Sequence, residues 1–387
     1  MKARAIVQID RLGALLAGFA IAALNFLPFV IVKANRIVPG YPRTVLQALP
    51  SQPALMAIGA VLIAALAAIF VANRYLRLGA ALLGVIVVCL AVAVAGNALT
   101  PAGSKVVRIA PGSGFWVLLC SLALMVTDAI TRLRPGPLMR VLLLLAFAAG
   151  AMLSLAHGTF DHLSIMREYA VNAVRFAHEL GQHLWLAVGS LGAAVLVALP
   201  LGVLCHRIPR LRGGILGTLN LVQTIPAIAL FGILMAPLAA LAAAVPLAAS
   251  LGIRGIGTAP ALIALFLYSL LPVVANTVLG LERVSPAAVE AARGMGMTRG
   301  QILTTIELPL AVPVIVTGIR IVLVQNIGLV AIAALIGAGG LGTFIFQGIG
   351  QTAIDLVLLG ALPIVAMAFT AAVLLDALVE SMDCTRP

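Results

Sequence analysis

The sequence predicts an all-α, polytopic membrane protein with about 10 transmembrane helices, and three observations lead to this fold class. Of its 387 residues, 63% are hydrophobic and only 9% are charged, whereas soluble domains carry roughly 25% charged residues. Uncharged stretches of about 20 residues, the length that crosses a bilayer, recur along the whole chain. These stretches are continuous, whereas a transmembrane β-barrel would show short segments of alternating hydrophobicity.

Ten uncharged stretches define the predicted membrane spans. They lie at residues 12–32, 54–73, 78–98, 113–131, 138–156, 184–205, 215–238, 259–281, 310–336 and 355–377. The first is longer than the apolar region of a signal peptide, so we expect it to remain as the first span. Between the fifth and sixth spans, residues 157–183 place apolar residues at helical spacing with polar residues between them. This pattern predicts an amphipathic helix that lies along the outer surface of the membrane.

The spans divide the chain into three predicted parts. Residues 1–156 form a five-helix N-terminal membrane extension, residues 157–183 form the amphipathic connecting segment, and residues 184–387 form a five-helix C-terminal core. An even number of spans places both termini on one side of the membrane. If that side is the cytoplasm, the cytoplasmic segments hold most of the 24 Lys and Arg residues, in agreement with the positive-inside rule. The net charge of +12 therefore indicates orientation rather than nucleic-acid binding.

The cysteines and histidines do not predict a metal site. The four cysteines show no CxxC spacing, so we expect neither a disulfide framework nor metal ligation. In the connecting segment, His157, His162 and His178 are not spaced at i, i+4, the spacing of a helical ligand pair.

A polar block at residues 285–309 interrupts the apolar core between its third and fourth spans, on the predicted cytoplasmic side. Ser285 followed by Pro286 is typical of a helix N-terminus. A Gly-Met-Gly sequence then permits a sharp reversal of the backbone. Thr298 and Gln301 fit a capping box and begin a second helix, which we expect to end at the proline that follows. The block is therefore predicted to be a cytoplasmic helix–turn–helix with an apolar stripe for a partner.

The spacing within this block resembles the EAA signature of binding-protein-dependent ABC importer permeases. The matching positions are Glu290, Ala291, Ala292, Gly296, Ile306, Leu308 and Pro309. In that family the loop is the coupling helix that docks in a groove of the cytoplasmic ATPase, so the resemblance implies this role for these residues. The last five spans also resemble the type I permease core, which carries its coupling loop between its third and fourth helices.

Three further strings, at 220–234, 260–281 and 333–349, resemble the osmoprotectant branch of this family. That branch imports glycine betaine, choline, carnitine or related compatible solutes. The resemblance covers residues near 180–380 and implies a multi-pass protein of the bacterial inner membrane. The implied partners are cytoplasmic ATPase subunits, a periplasmic or extracellular substrate-binding protein, and a second permease that is identical or related.

No GxxxxGK[ST] sequence occurs, so we expect no ATPase activity and no cofactor in this chain, with ATP bound by a partner subunit. The string GAGGLG matches GxGxxG but lacks the strand–helix context of a dinucleotide site. We interpret its glycines as an outer gate or as sites of close helix packing. They are Gly337, Gly339, Gly340 and Gly342. Aromatic residues make up only 5% of the chain, too few to suggest an aromatic cage for quaternary ammonium groups.

Polar and kink-forming residues within the core spans are candidates for the translocation pathway, because polar groups in hydrocarbon must pair or face water. These candidates are Gln223, Thr224, Pro226, Tyr268, Asn276, Arg320 and Asn326. Arg320 lies roughly 16 Å along its helix from the start of the span, near mid-membrane. It either lines the pathway or pairs with an acidic or carbonyl partner inside the bundle.

Three other functions are compatible with the sequence. The chain fits an ABC importer permease for another small solute, such as an amino acid or an oxyanion. It also fits an ion-coupled secondary transporter, although no internal repeat supports this class. A membrane scaffold or sensor that uses the polar block to dock another protein is the third alternative.

Overall fold

The structure is a computed structural model that describes residues 10–36, 38–101, 103–104 and 106–382. Within this part of the chain, nine helices are long and apolar enough to cross a membrane, and the apolar helix Arg11–Phe26 is shorter. The predicted all-α membrane fold is confirmed. The chain forms two compact units, one of Met1–Gly136 with Leu145–Val171 and the other of Pro137–Leu144 with Asn172–Pro387. The three-part division at residues 156 and 183 stays a prediction.

The first unit combines a helical bundle with a small sheet. Its elements are α1 (Arg11–Phe26), β1 (Val30–Lys33), β2 (Tyr41–Arg43), α2 (Val45–Ala48), α3 (Ser51–Phe70), α4 (Arg74–Leu99), β3 (Arg108–Pro111) and α5 (Ser113–Leu133). Strand β1 lies between β2 and β3 and pairs antiparallel with both. Helices α6 (Pro137–Ala156) and α7 (Ser164–Arg207) contribute residues to both units.

The first predicted span is wrong at its C-terminal end. The span was expected to continue to residue 32, but helix α1 ends at Phe26 and the chain enters strand β1 at Val30. Leu27 precedes Pro28, and the proline ring disfavours helical geometry in the residue before it. At 1.5 Å per residue the 16-residue helix is about 24 Å long, shorter than a typical hydrocarbon core.

An ion-pair cluster joins α1, α4 and α5 at one end of this unit. Asp10 caps α1 by accepting from the Gly13 N–H at 3.0 Å, and it pairs with Arg77 at 3.0 Å and Arg132 at 2.6 Å. Arg77 also pairs with Asp128 at 2.9 Å. Burial acts to raise the pKa of Asp10, but the hydrogen bond from Gly13 and the two guanidinium groups outweigh it, so this pKa lies below its usual value.

The second unit is a helical core with short connecting helices. After α7, its elements are α8 (Pro209–Thr224), α9 (Ala227–Ala244), α10 (Pro246–Ser250), α11 (Thr258–Glu282), α12 (Pro286–Gly294), α13 (Arg299–Ile302), a π-helical turn (Leu303–Glu307), α14 (Leu308–Ala333), a 3₁₀ turn (Ala334–Ile336), α15 (Gly342–Gly350) and α16 (Ile354–Met382). Helix α14 packs extensively against both α11 and α16. The buried core includes Leu186, Leu265, Leu341 and Phe344.

Two sequence predictions about this unit are wrong. A separate amphipathic helix was expected over 157–183, but residues 164–183 are the first part of the 44-residue helix α7. The chain there contains no proline and its one glycine is accommodated within the helix, so nothing interrupts the hydrogen-bond ladder. A single span was expected over 215–238, but the helix breaks between α8 and α9 at Pro226, which lacks the N–H needed to continue it.

Candidate functional site

The coupling loop (residues 285–309) begins with helix α12, which ends in a Schellman motif. The Met297 N–H donates to the Ala292 carbonyl at 3.1 Å, and the Gly296 N–H donates to the Arg293 carbonyl at 2.9 Å. Gly296 has a φ of +81°, a left-handed conformation that favours glycine. The predicted reversal of the backbone is therefore present, and it occurs at Gly296. Ser285 occupies the N-cap position as predicted, but its side chain makes no capping hydrogen bond.

The second half of the coupling loop begins with the predicted capping box. The Gln301 N–H donates to the Thr298 hydroxyl at 3.4 Å, and the Thr298 N–H donates to the Gln301 side-chain oxygen at 2.8 Å. The expected break at Pro309 is wrong, because the π-helical turn leads directly into α14. Pro309 has no backbone N–H to donate to an i−4 carbonyl. The π turn replaces the regular i to i−4 hydrogen bonds at this position, so the helix continues.

The EAA positions divide into exposed and buried groups. Glu290, Ala291 and Gly296 are exposed, as is Pro309, whereas Ala292 is buried with 1% of its surface accessible. The two apolar positions Ile306 and Leu308 are partly buried. Helix α12 contacts α13 and the π-helical turn of the same loop, with Ala292 buried and with Glu290 and Ala291 left available to a partner.

One ion pair attaches the coupling loop to α7, and a second joins α8 to the end of α11 just before the loop. Glu307, only 5% exposed, pairs with Arg207 at the end of α7, and Glu282 pairs with Arg212 of α8. A cleft of about 340 Å³ opens beside these pairs and is lined by His206, Glu282, Glu290, Arg293 and Glu307 among others. The sequence analysis missed Arg207 and Arg212, because their partners lie 100 and 70 residues away in the chain.

Two of the candidate pathway residues hold the break between α8 and α9 against α11. The Gln223 side-chain amide donates to the Tyr268 carbonyl at 2.8 Å, and the Tyr268 hydroxyl donates to the Ile225 carbonyl. Pro226 begins α9 directly after this carbonyl. These three candidates therefore lie together. Thr224 is exposed and donates to the Leu221 carbonyl within its own helix.

Asn326 is fully buried at the junction of three helices. Its Nδ2 donates to the hydroxyls of Ser190 and Ser269, both at 3.0 Å, and each serine donates in turn to a carbonyl of its own helix. Among the described residues, Asn326 Oδ1 has no hydrogen-bond donor. A separate candidate, Asn276, donates to the Pro272 carbonyl within α11 at 2.8 Å.

Arg320 is paired with an acidic residue of a neighbouring helix, and both side chains are partly exposed, at 36% and 41%. Its Nη1 lies 2.6 Å from Asp376 Oδ1 on α16, and Asp376 Oδ2 also pairs with Arg140 at 3.0 Å. Arg140 continues the network to Glu380 at 2.7 Å. Two cations and two anions thus balance each other, as expected for charges in an apolar bundle. The structure contains the pairing alternative for Arg320, and its pathway role stays a prediction.

The glycine loop (residues 337–342) connects α14 to α15 and is left-handed at three of its glycines. Gly337, Gly339 and Gly340 have φ values of +76°, +78° and +85°, which other residues adopt at a cost. Gly342 serves a different purpose, because a Cβ atom there would lie 2.0 Å from the Ala331 carbonyl oxygen. The two interpretations of these glycines, an irregular backbone segment and close helix packing, therefore both apply within this loop.

Two known families match the chain. Residues 10–166 match the N-terminal domain of the ABC transporter permease YehY, and residues 195–383 match the inner membrane component of binding-protein-dependent transport systems. The osmoprotectant import permease protein OsmW of Salmonella typhimurium is 46% identical over 197 residues, 51% of this chain and 86% of that protein. This chain belongs to the ABC importer permease family. The resemblance inferred from the EAA signature is confirmed.

Other relatives of the permease carry related names. The carnitine transport permease protein OpuCD of Listeria monocytogenes is 39% identical over 208 residues, 54% of this chain and 86% of that protein. The choline transport system permease protein OpuBD of Bacillus subtilis is 38% identical over 213 residues, 54% of this chain and 87% of that protein. Among solved structures, the inward-facing methionine ABC transporter MetNI matches 55% of the permease and 96% of its own chain, at 22% identity and a TM-score of 0.48.

Proposed function

We propose that this permease is the membrane subunit of an ATP-driven importer of osmoprotectants, such as glycine betaine, choline or carnitine. The coupling loop carries the proposal, because its Schellman turn and capping box fix its shape with Glu290 and Ala291 exposed, while the buried Glu307 pairs with Arg207 of α7. A loop with these contacts transmits a movement of a docked partner to helices α7 and α14. The solute class follows from the relatives, which are named as osmoprotectant, carnitine and choline permeases.

The proposed assembly contains two permeases, two cytoplasmic ATPases and an external substrate-binding protein. ATP would be bound and hydrolysed by the ATPase subunits, and this chain would supply no cofactor and no catalytic residue. The permease would lie in the bacterial inner membrane with both termini in the cytoplasm, which places the coupling loop beside the ATPase. The glycine loop would then lie at the outer end of the core and serve as an outer gate.

The proposed translocation pathway runs along the polar candidates of the core helices. The hydrogen bonds between Gln223, Tyr268 and the Ile225 carbonyl hold the α8–α9 break in place, and an irregular backbone at membrane depth is typical of segments that line a cavity. The Asn326 Oδ1 acceptor is buried and has no donor among the described residues, and in this proposal it would meet water or solute only when the core helices move apart. In this proposal Arg320 supports the pathway through its pair with Asp376.

Reconstitution tests the proposed function. The permease is placed in liposomes with its ATPase and its binding protein, and the uptake of labelled glycine betaine and methionine is measured. We expect ATP-dependent uptake of glycine betaine that survives an uncoupler of ion gradients. Uptake of methionine alone would indicate an amino-acid importer, and uptake without ATP that collapses with the uncoupler would indicate a secondary transporter. Either result would overturn the proposal.

A further inference from the structure

One face of α7 carries a stripe of four polar residues near the glycine loop. Arg175, Glu179, Gln182 and His183 follow the spacing i, i+4, i+7 and i+8, which places them on one side of the helix. Glu179 is 9% exposed and His183 is fully buried. Glu179 and His183 therefore face protein, whereas the sequence pattern predicted an amphipathic helix that lies along the outer surface of the membrane.

Glu179 and Gln182 bond directly to the backbone of the glycine loop. The Gly340 N–H donates to Glu179 Oε2 at 2.7 Å, a short bond that the negative charge of the carboxylate strengthens. Gln182 Nε2 donates to the Ala338 carbonyl at 3.2 Å. A backbone in left-handed conformations forms no helical ladder of its own, so its polar groups must find partners elsewhere. Helix α7 supplies two of these partners.

His183 joins the glycine loop to α14. Its Nε2 lies 2.9 Å from the Ile327 carbonyl oxygen, and its Nδ1 lies 3.3 Å from the Leu341 N–H. A carbonyl oxygen only accepts and an N–H only donates, so both bonds are satisfied by the neutral imidazole with its proton on Nε2. The buried ring thus holds one loop amide and one helix carbonyl at the same time.

Arg175 extends the same contact surface onto α15. Its guanidinium lies 5.1 Å from the centroid of the Phe344 ring, and its Nη1 donates to the Gln347 side-chain oxygen at 2.7 Å. The guanidinium Nε is also 3.8 Å from Glu179. Four successive polar residues of one helix face therefore engage the glycine loop and the helix that follows it.

We infer that Glu179, Gln182 and His183 are positioning residues that hold the glycine loop closed as the outer gate of the transporter. This inference rests on the proposed transport function, and it assigns a role to residues outside the recognised signature. Opening the gate requires the three hydrogen bonds between these residues and the loop backbone, at Ala338, Gly340 and Leu341, to break or to rearrange. At the C-terminal end of α7, Arg207 pairs with Glu307 of the coupling loop. One helix therefore contacts both the ATPase-coupling loop and the gate.

We call the hydrogen bonds that Glu179, Gln182 and His183 make with the glycine loop the latch. Hydrogen exchange of the glycine loop tests the latch without any assumption about the solute. The full-length permease is measured by mass spectrometry, and exchange is followed in a peptide that covers the Gly340 and Leu341 amides. We expect Glu179→Leu and His183→Leu to raise the exchange rate of this peptide about tenfold or more, the loss expected from one hydrogen bond to a charged or aromatic acceptor. Glu179→Gln keeps an acceptor and should stay within about threefold of the wild type.

His178→Leu is the matched control, because His178 is exposed on the same turn of α7. It should leave the exchange of the peptide unchanged. Gln182→Ala is the milder variant if the leucine variants do not fold, and it should raise exchange by severalfold. Unchanged exchange in Gln182→Ala together with unchanged exchange in the folded leucine variants would overturn the latch.

The number of solute molecules imported per ATP hydrolysed distinguishes a gating role of these residues from a purely structural role. In liposomes with the ATPase, the binding protein and labelled glycine betaine, we measure solute molecules imported per ATP hydrolysed. We expect Glu179→Leu to lower this ratio at least threefold and to raise ATP hydrolysis in the absence of binding protein. A structural role would lower the amount of active transporter but keep the ratio, and that result would contradict the gate. If the wild type imports no glycine betaine, the proposed solute fails while the exchange experiment still decides the latch.

Discussion

The turn at Gly296 provides the sharpest test of the coupling loop. A Cβ atom added there would meet no other heavy atom within 4 Å, so a substitution causes no clash within the chain. Its cost comes from the backbone, because a φ of +81° is about 1–2 kcal/mol less favourable for an ordinary residue than for glycine. That cost reduces the population of the native turn by roughly 5- to 30-fold relative to alternative loop conformations.

A graded set of substitutions at Gly296 isolates this effect. Asparagine tolerates the left-handed conformation, alanine does so less well, and a β-branched valine least of all. We therefore expect solute-stimulated ATP hydrolysis to fall in the order Gly296→Asn, Gly296→Ala, Gly296→Val, while the amount of inserted protein stays constant. The neighbouring Gly294→Ala is the matched control, because Gly294 lies within α12 and also has no neighbour within 4 Å of an added Cβ. Equal activities for Asn and Val at Gly296, or an equal loss in Gly294→Ala, would refute the reasoning.

Three further changes test other parts of the molecule. Glu290→Lys reverses an exposed charge of the coupling loop, so we expect uptake to be abolished while membrane insertion, measured by protease protection, is unchanged. Arg207→Ala and Glu307→Ala should each destabilise the loop base, and a double-mutant cycle on thermal unfolding should give a coupling energy of about 1–3 kcal/mol. Asp10 has a lowered pKa when folded, so its contribution to stability is present above about pH 4 and is lost as the pH falls through the folded pKa. Asp10→Asn should weaken the fall in thermal stability as the pH drops below about pH 4.

Each of these expectations has a result that contradicts it. Normal uptake by Glu290→Lys would remove the coupling role of that side chain. Additive effects of the two substitutions at the loop base would mean that the buried ion pair contributes nothing. An unchanged acid-stability profile in Asp10→Asn would show that Arg77 and Arg132 do not depress the pKa of this carboxyl group.

Local chemistry was sufficient to predict the backbone turn and the capping box of residues 285–309. The capping box at Thr298 and the proline at the first position of α12 act within one or two turns of chain, so the signal and the structure are adjacent in sequence. The glycine at position 296 likewise indicates a left-handed backbone conformation at that residue. The end of the second helix was missed, because a π turn depends on how the whole helix accommodates Pro309 rather than on one residue.

The polar residues of the core show where sequence reasoning stops. Arg320 was recognised as costly in hydrocarbon, but its partner Asp376 lies 56 residues later on another helix. The segment 157–183 was assigned to the membrane surface because polar and apolar residues alternate along it at helical spacing. That pattern is the same whether the polar face meets water or buried backbone groups, and only the position of the glycine loop distinguishes the two.

By itself the sequence predicted the helical membrane class, the family, and the turn and capping box of residues 285–309, since hydrophobic length and capping residues act locally along the chain. Tertiary structure decided which buried polar groups meet and that α7 reaches from Glu307 to the glycine loop. The physical reason is that a buried charge or amide needs a partner, and in this permease that partner comes from a segment far away in the sequence.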